Sequence, residues 1–331
     1  MTALASPKLK TQPRDDAAER FAIHVVEGLS AEPKRLSPKY FYDHTGSQLF
    51  EEITQLPEYY PTRTELSILH DKAKAIAALI PKGAALVEFG AGSATKVRIL
   101  LEAAPQITSY VPVDISAEFL GDEATKLSRD IPRVKVFPVA ADFTEHFELP
   151  AAVQSQPRVG FFPGSTIGNF EPDEAAEFLR RAARILGPGA LLIVGADLIK
   201  DPDVLHAAYN DAAGVTAKFN LNLLARMNRE LGTRFVAKWF SHEARFNPEL
   251  GRIEMHLVSR RKQKVRIGDN TIEFNAGESI HTENSYKFTL RSFDRLARGS
   301  GWATSAVYCD ADKYFSVHVL AREADEQARW G

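Results

Sequence analysis

Cysteine is nearly absent: Cys309 stands alone in 331 residues. No internal disulfide can form, and no cysteine cage can hold a metal. Cys309 itself reads as a small, buried or half-buried apolar residue. Long apolar runs are missing too, and none approaches the ~18 residues that cross a bilayer. The polar opening, Met1 to Asp16, lacks the hydrophobic stretch of a signal peptide and reads as a frayed tail. Neither sign of charge dominates. A formal net charge of −2 argues against nucleic-acid binding through a broad basic surface. Repeats and low-complexity tracts are also lacking. What remains is 44% hydrophobic residues, enough to build a full core in two modest domains or one enlarged one. The expectation from these absences is a soluble cytoplasmic protein with neither nucleic-acid nor membrane partner.

The most informative stretch is Leu86-Val87-Glu88-Phe89-Gly90-Ala91-Gly92-Ser93. An apolar run ends in an acid and a Gly-x-Gly turn, and helix-like sequence follows from Thr95 to Ala103. This is the opening unit of a nucleotide-binding α/β domain, where glycines permit a sharp turn and close backbone approach to a ligand. Ala94 and Thr95 stand where a dinucleotide fingerprint would place its third glycine, so the turn alone does not choose the nucleotide.

Short apolar runs predict strands at Ala85–Phe89, Ser109–Val113, Val134–Ala140, Val159–Phe162 and Ala190–Val194. Helical patterns lie between most of them, as in Glu174–Ile185, closed by Gly187-Pro188-Gly189. Alternation of strand and helix implies a mostly parallel sheet. Near the end, Thr304–Tyr308 and Phe315–Ala321 flank a polar turn and predict an antiparallel hairpin. Five parallel strands and such a hairpin resemble a class I (Rossmann-like) methyltransferase sheet more than a dehydrogenase sheet. Residues 17–64 and 200–284 do not fit this sheet and are assigned to a discontinuous auxiliary α+β substrate domain. It carries a helix at Val215–Leu231 and strands at Phe235–Phe240, Arg252–Ser259 and Lys264–Ile267. Residues 65–199 and 285–331 make the cofactor domain.

Ligands of open α/β sheets lie beyond the carboxyl ends of the strands. Glu88, Asp114 and Asp142 all fall at such ends. Asp114 can bind two ribose hydroxyls, which suits NAD and S-adenosylmethionine equally. Asp142 can accept from an adenine amino group while Phe143 packs on the ring. Lys96, in the first helical turn after the glycines, can pair with a ligand carboxylate. Any one of these acids alone reads as a helix cap or solvated loop residue. Together with Gly90 and Gly92 they favour a nucleoside cofactor. His44 and His281 have no metal-ligand spacing, so no metal is expected.

A second set of motifs runs from Ser37-Pro38-Lys39-Tyr40-Phe41-Tyr42-Asp43-His44-Thr45-Gly46-Ser47 into Leu56-Pro57-Glu58-Tyr59-Tyr60-Pro61-Thr62-Arg63-Thr64-Glu65. Gly164-Ser165-Thr166-Ile167-Gly168-Asn169 and Thr282-Glu283-Asn284-Ser285-Tyr286-Lys287-Phe288 complete it. With these, the chain from about Pro38 to the terminal hairpin resembles the histidine Nα-methyltransferases. That family trimethylates L-histidine to hercynine in ergothioneine biosynthesis. The resemblance implies S-adenosylmethionine as cofactor, matched by Gly90, Lys96, Asp114, Asp142 and Phe143, with Gly92 in the same turn. It implies that Tyr59 closes the pocket near the imidazole, and that Asn169 and Tyr209 hold the main-chain groups of the amino acid. Tyr42 and the Gly164 carbonyl would lie near the reacting amine, and Met255, Glu283 and Ser285 would form the side-chain pocket.

The residues are chemically apt on their own terms. Neutral imidazole offers one donor and one acceptor. Glu283 can accept from one ring nitrogen and Ser285 can serve the other. Their i, i+2 spacing on an extended segment puts both on one face. Without the resemblance the same pair reads as a solvated strand face, Tyr59-Tyr60-Pro61 as a packed loop, and Asn169 as a turn residue. Rival readings are a methyltransferase of the same fold acting on another amino acid or small amine, a nicotinamide oxidoreductase, and a non-catalytic cofactor-binding module.

Overall fold

The computed structural model describes residues 14–322. They fall into two compact units, residues 61–198 with 288–322, and residues 14–60 with 199–287. The expected frayed tail lies outside the described residues up to 13; a helix, Arg14–Ser30, begins directly after.

The first unit is built on a mixed sheet. Its strand order is Ala303–Cys309, Phe315–Ala321, Leu191–Asp197, Arg158–Phe162, Ala84–Phe89, Ile107–Asp114 and Lys135–Val136. Val139–Ala140 extends the far edge by pairing with Ile107–Asp114. All pairings are parallel except those of the terminal hairpin, where Phe315–Ala321 runs antiparallel to both of its neighbours. This is the class I methyltransferase arrangement expected from the sequence. Alternate residues bury on opposite faces. Leu86, Phe161 and Ile193 join one core with Ile68 and Val97, while Val87, Phe162 and Val194 join the other with Phe178 and Phe293. A parallel sheet covered on both faces needs such continuously apolar strands. The order reverses between Ala84–Phe89 and Arg158–Phe162, a topological switch point where such sheets bind ligands.

One predicted strand is broken. Val134–Ala140 forms two short pieces, Lys135–Val136 and Val139–Ala140, with Pro138 between them. Proline has no N–H to give to the ladder.

The second unit centres on a four-stranded sheet in the order Lys34–Arg35, Ser279–Tyr286, Arg252–Ser259 and Phe240–Asn247. The hairpin Gln263–Ile267 and Asn270–Phe274 stands apart from it. The helix Val215–Leu231 has the predicted bounds and ends at Gly232, whose φ of 64° makes the left-handed cap that favours glycine. Asn220 ties this helix to the sheet: its amide donates to the His256 carbonyl at 3.1 Å and its oxygen accepts from Thr282 at 2.9 Å. The strand expected at Phe235–Phe240 is instead a loop and a 3-10 turn, Ala237–Trp239, and the strand starts at Phe240. Both backbone groups of Phe235 are claimed by the Asn228 side chain, at 2.7 and 2.8 Å. Phe235 and Phe240 still bury together, packed around Phe274.

Candidate functional site

In the first unit the candidate residues occupy turns beyond strand ends. Gly90, with φ 73°, follows Ala84–Phe89. A Cβ there would come within 3.2 Å of the Phe143 ring, so glycine allows both the turn and the close approach. A Cβ on Gly92 would meet nothing within 4 Å, leaving this part of the turn open. Asp114 closes Ile107–Asp114, and its carboxylate accepts from the Ser116 N–H at 2.8 Å. Burial pushes the Asp114 carboxyl up to about 6; backbone N–H groups oppose the shift and the charge of Asp142 adds to it. Asp142 accepts from the N–H and hydroxyl of Thr144 at 2.9 and 2.5 Å. Phe143 packs edge-on against Phe162 and Phe178. A glycine turn beside two strand-end carboxylates and an aromatic ring fits a nucleoside with hydroxyl and amino donors.

Glu88 departs from the expectation of three ligand-facing acids. It is buried and accepts a short hydrogen bond from Tyr110. Burial pushes its carboxyl up to about 8. It is a core group beneath the glycine turn, because the whole of Ala84–Phe89 is buried.

The turn after Arg158–Phe162 is constrained. Gly164 and Ser165 have consecutive positive φ values of 81° and 58°. For serine this conformation is uncommon and costs free energy, so the surroundings must impose it. The Ser165 hydroxyl accepts from the Asp197 N–H at 2.9 Å. The Gly164 N–H donates to both carboxylate oxygens of Glu65, at 3.0 and 2.9 Å. Glu65 is 1% exposed, and it also binds the Lys96 ammonium at 2.6 Å. Lys96, expected to pair with a ligand carboxylate, therefore already has a protein partner. Asn169 ends the short 3-10 turn Thr166–Asn169 and is half-buried.

In the second unit the structure brings several candidates together. Tyr209 ends the helix Pro202–Tyr209, and its hydroxyl bonds Ser285 Oγ at 2.7 Å. Tyr59 stands edge-on to the Tyr209 ring at 6.1 Å and to Phe50 at 6.3 Å; Tyr42 meets Phe50 at 5.7 Å. Glu283 lies directly opposite Met255 in the antiparallel register, and such cross-strand neighbours share a face. Burial pushes the Glu283 carboxyl up to about 8, against the opposing field of Lys287. The expected face of Glu283 and Ser285 is buried, not solvated.

Two residues escaped the sequence reading although both lie inside quoted motifs. Glu65 ends one motif, and Lys287, buried beside Ser285 and Tyr209, stands near the end of another. A charged residue in an otherwise functional stretch was the available signal. The metal reading was dismissed on linear spacing, yet cross-strand pairing sets His281 against His256, with ligand atoms of Glu254, His256 and His281 within 4.8 Å of one another. The Glu254 carboxylate is held by Arg252 at 2.7 Å, and the two rings stack at 5.0 Å. Burial, then the neighbouring His281, lowers His256 to about 4.

Comparison with known proteins bears on both units. The family model described as "Histidine-specific methyltransferase, SAM-dependent" matches residues 21–322. A histidine N-alpha-methyltransferase of Mycobacterium tuberculosis is 44% identical over 90% of this chain and 94% of its own. The Mycolicibacterium smegmatis protein of the same name is 45% identical over 83% of this chain and 86% of its own. A 4-dimethylallyltryptophan N-methyltransferase of Aspergillus fumigatus is 29% identical over 87% of this chain and 89% of its own.

Proposed function

Because the chain belongs to the SAM-dependent, histidine-specific methyltransferase family, we propose that it trimethylates the α-amino group of L-histidine to hercynine, a step of ergothioneine biosynthesis. The observation that carries the reading is the buried cluster of Tyr209, Glu283 and Ser285, with Met255 opposite Glu283. It has hydrogen-bonding capacity for both nitrogens of an imidazole. An apolar phenyl ring would leave the carboxyl of Glu283 unpaired, which is a penalty.

Gly90, Gly92, Lys96, Asp114, Asp142 and Phe143 would hold S-adenosylmethionine, which supplies, when bound, a methyl group on a sulfonium. Asp114 would accept from ribose hydroxyls, and Asp142 from the adenine amino group with Phe143 against the ring. The protein's own work is positioning and electrostatics. Histidine must present a neutral α-amine, so its ammonium loses a proton before each transfer. The Tyr42 hydroxyl and the Gly164 carbonyl are assigned as hydrogen-bond partners of that amine. Glu65 accepts from the Gly164 N–H and so holds the Pro163–Gly164 peptide that leads into this residue. Asn169 and Tyr209 are assigned to the main-chain groups, and Tyr59 to the wall of the ring pocket. After the third transfer the nitrogen has neither proton nor lone pair, and the reaction stops.

The protein is read further as a cytoplasmic monomer. Among the described residues no helix is long and apolar enough to cross a membrane. The deciding experiment incubates the protein with histidine and S-adenosylmethionine and follows mono-, di- and trimethylhistidine by mass spectrometry. Accumulation of the trimethyl product is expected. Methylation of other amino acids with histidine untouched would overturn the reading.

A further inference from the structure

The strand Ser279–Tyr286 has an irregularity beside Glu283. His281 pairs with His256 and Glu283 with Met255, so this strand advances two residues while its partner advances one. Thr282 is the extra residue of a β-bulge. Successive side chains of a strand point to opposite faces. Continued without the bulge, the register would set Glu283 opposite Glu254, on the face of His256. The bulge moves Glu283, and Ser285 after it, to the face of Met255 and Ile253. The aim of both polar groups of the proposed ring pocket is thus decided at Thr282.

Asn220 meets this bulge from the helix Val215–Leu231, and it is fully buried. The Thr282 hydroxyl lies 2.9 Å from the Asn220 oxygen and 3.0 Å from the Met255 carbonyl. The Asn220 amide nitrogen is 3.1 Å from the His256 carbonyl and 2.9 Å from His242 Nδ1. A carbonyl oxygen only accepts, so the group facing His256 is the NH2, which has a second hydrogen for His242. His242 Nε2 in turn is 2.8 Å from the Tyr209 carbonyl, which also only accepts. His242 is therefore neutral, with its hydrogen on Nε2. Burial, which pushes the imidazole pKa down, favours the same state.

The Tyr209 carbonyl belongs to the last residue of the helix Pro202–Tyr209, where no further turn supplies a partner. The next residue, Asn210, bonds both backbone groups of Ala244 at 3.0 Å, two residues from His242 on the strand Phe240–Asn247. Two such attachments fix the direction of the helix end. With one gone, it can pivot on the other.

We infer that Asn220 is a positioning residue for ring recognition: one side of its amide holds the bulge that aims Glu283, the other holds Tyr209 through His242, and together they set the gap between the two. The inference rests on the reading of Tyr209, Glu283 and Ser285 as the histidine pocket. None of Asn220, His242 and Thr282 needs to touch the ligand for this.

Steady-state kinetics with histidine on the wild type, Asn220→Ala, Thr282→Val, His242→Phe and His242→Gln test it. Thermal melting reports folding, and titration calorimetry with S-adenosylmethionine reports the cofactor site. Asn220→Ala is expected to raise KM for histidine at least ~10-fold with cofactor affinity unchanged. Thr282→Val and His242→Phe each remove one arm and should raise it about threefold or more. His242→Gln, whose amide still donates toward Tyr209, should recover most of the loss seen in His242→Phe. A merely structural asparagine would lower the melting temperature and leave KM of the folded protein at its wild-type value. If Asn220→Ala does not fold, Thr282→Val and His242→Phe decide in its place. A wild type that methylates histidine, with KM unchanged in the folded variants or with histidine and cofactor impaired alike, would overturn the inference alone. Absence of any methylated histidine from the wild type would overturn the underlying reading and the inference with it.

Discussion

In the unit formed by residues 61–198 and 288–322, candidate residues sit on turns that follow parallel strands; in the unit formed by residues 14–60 and 199–287, most of the ring-pocket candidates sit within an antiparallel sheet or at a helix end. The first arrangement exposes backbone. In the proposed reading its glycines and positive φ values matter because the main chain itself would border the cofactor. The second presents side chains, and in the proposed reading its specificity would lie in which buried groups a ligand pairs. A generic nucleoside can be held by the first kind of site in many proteins. A particular ring demands the second kind, since its discrimination comes from polar groups that a wrong ligand leaves unmatched.

The contrast can be broken most severely at Glu65. Alanine there leaves the Gly164 N–H and the Lys96 ammonium without their carboxylate, and removing one partner of a buried pair costs about 3–5 kcal/mol. Urea denaturation should show a loss of that order, with turnover falling alongside. Glu65→Gln, which keeps an acceptor for Gly164 but not the charge, should fall between the two. A wild-type melting profile for Glu65→Ala would remove the residue from the account. A crossed pair of variants sharpens the comparison next. Asp142→Ala should weaken S-adenosylmethionine binding by about 1–3 kcal/mol and leave KM for histidine nearly unchanged. Glu283→Ala should do the reverse, raising KM for histidine at least ~10-fold, equivalent to ~1.4 kcal/mol, with cofactor affinity intact. Titration calorimetry and steady-state kinetics on both proteins read this out. If each variant impaired both ligands alike, the division of labour between the units would be wrong. The smallest effect is expected at Met255. Leucine there conserves volume, so stability should change by less than about 1.5 kcal/mol and KM for histidine by less than about threefold. A larger shift would show that Met255 does more than fill space.

The first unit was the more legible from sequence, and the reason is local. Its sheet announces itself in short apolar runs, and its glycine turn follows a strand directly, so Gly90, Gly92, Asp114 and Asp142 could be placed one after another along the chain. The place of Glu88 was not legible, because a strand-end acid looks the same whether it meets ligand or, as here, Tyr110 on the neighbouring strand. In the second unit the helix Val215–Leu231 and the strand Arg252–Ser259 matched their predicted bounds. The strand expected at Phe235–Phe240 failed because the amide of Asn228 took the backbone bonds of Phe235. The pairing of His281 with His256 depends on register, which linear spacing does not encode. The roles of Glu65 and Lys287 likewise depend on partners distant in sequence, Gly164 and Tyr209.

The connectivity of the two sheets has a consequence for biosynthesis. Lys34 pairs with Ile280, so the smaller sheet waits for most of the chain and then closes when Ser279–Tyr286 emerges. The larger sheet closes later still, when Phe315–Ala321 comes to lie against Leu191–Asp197. Through that interval Leu191–Asp197, an almost wholly apolar strand, has its outer edge unsatisfied on the ribosome. Unpaired apolar edges invite other chains. The hairpin of Ala303–Cys309 and Phe315–Ala321 thus seals that edge late, because residues 198–314 are made between the strand and the segment that covers it.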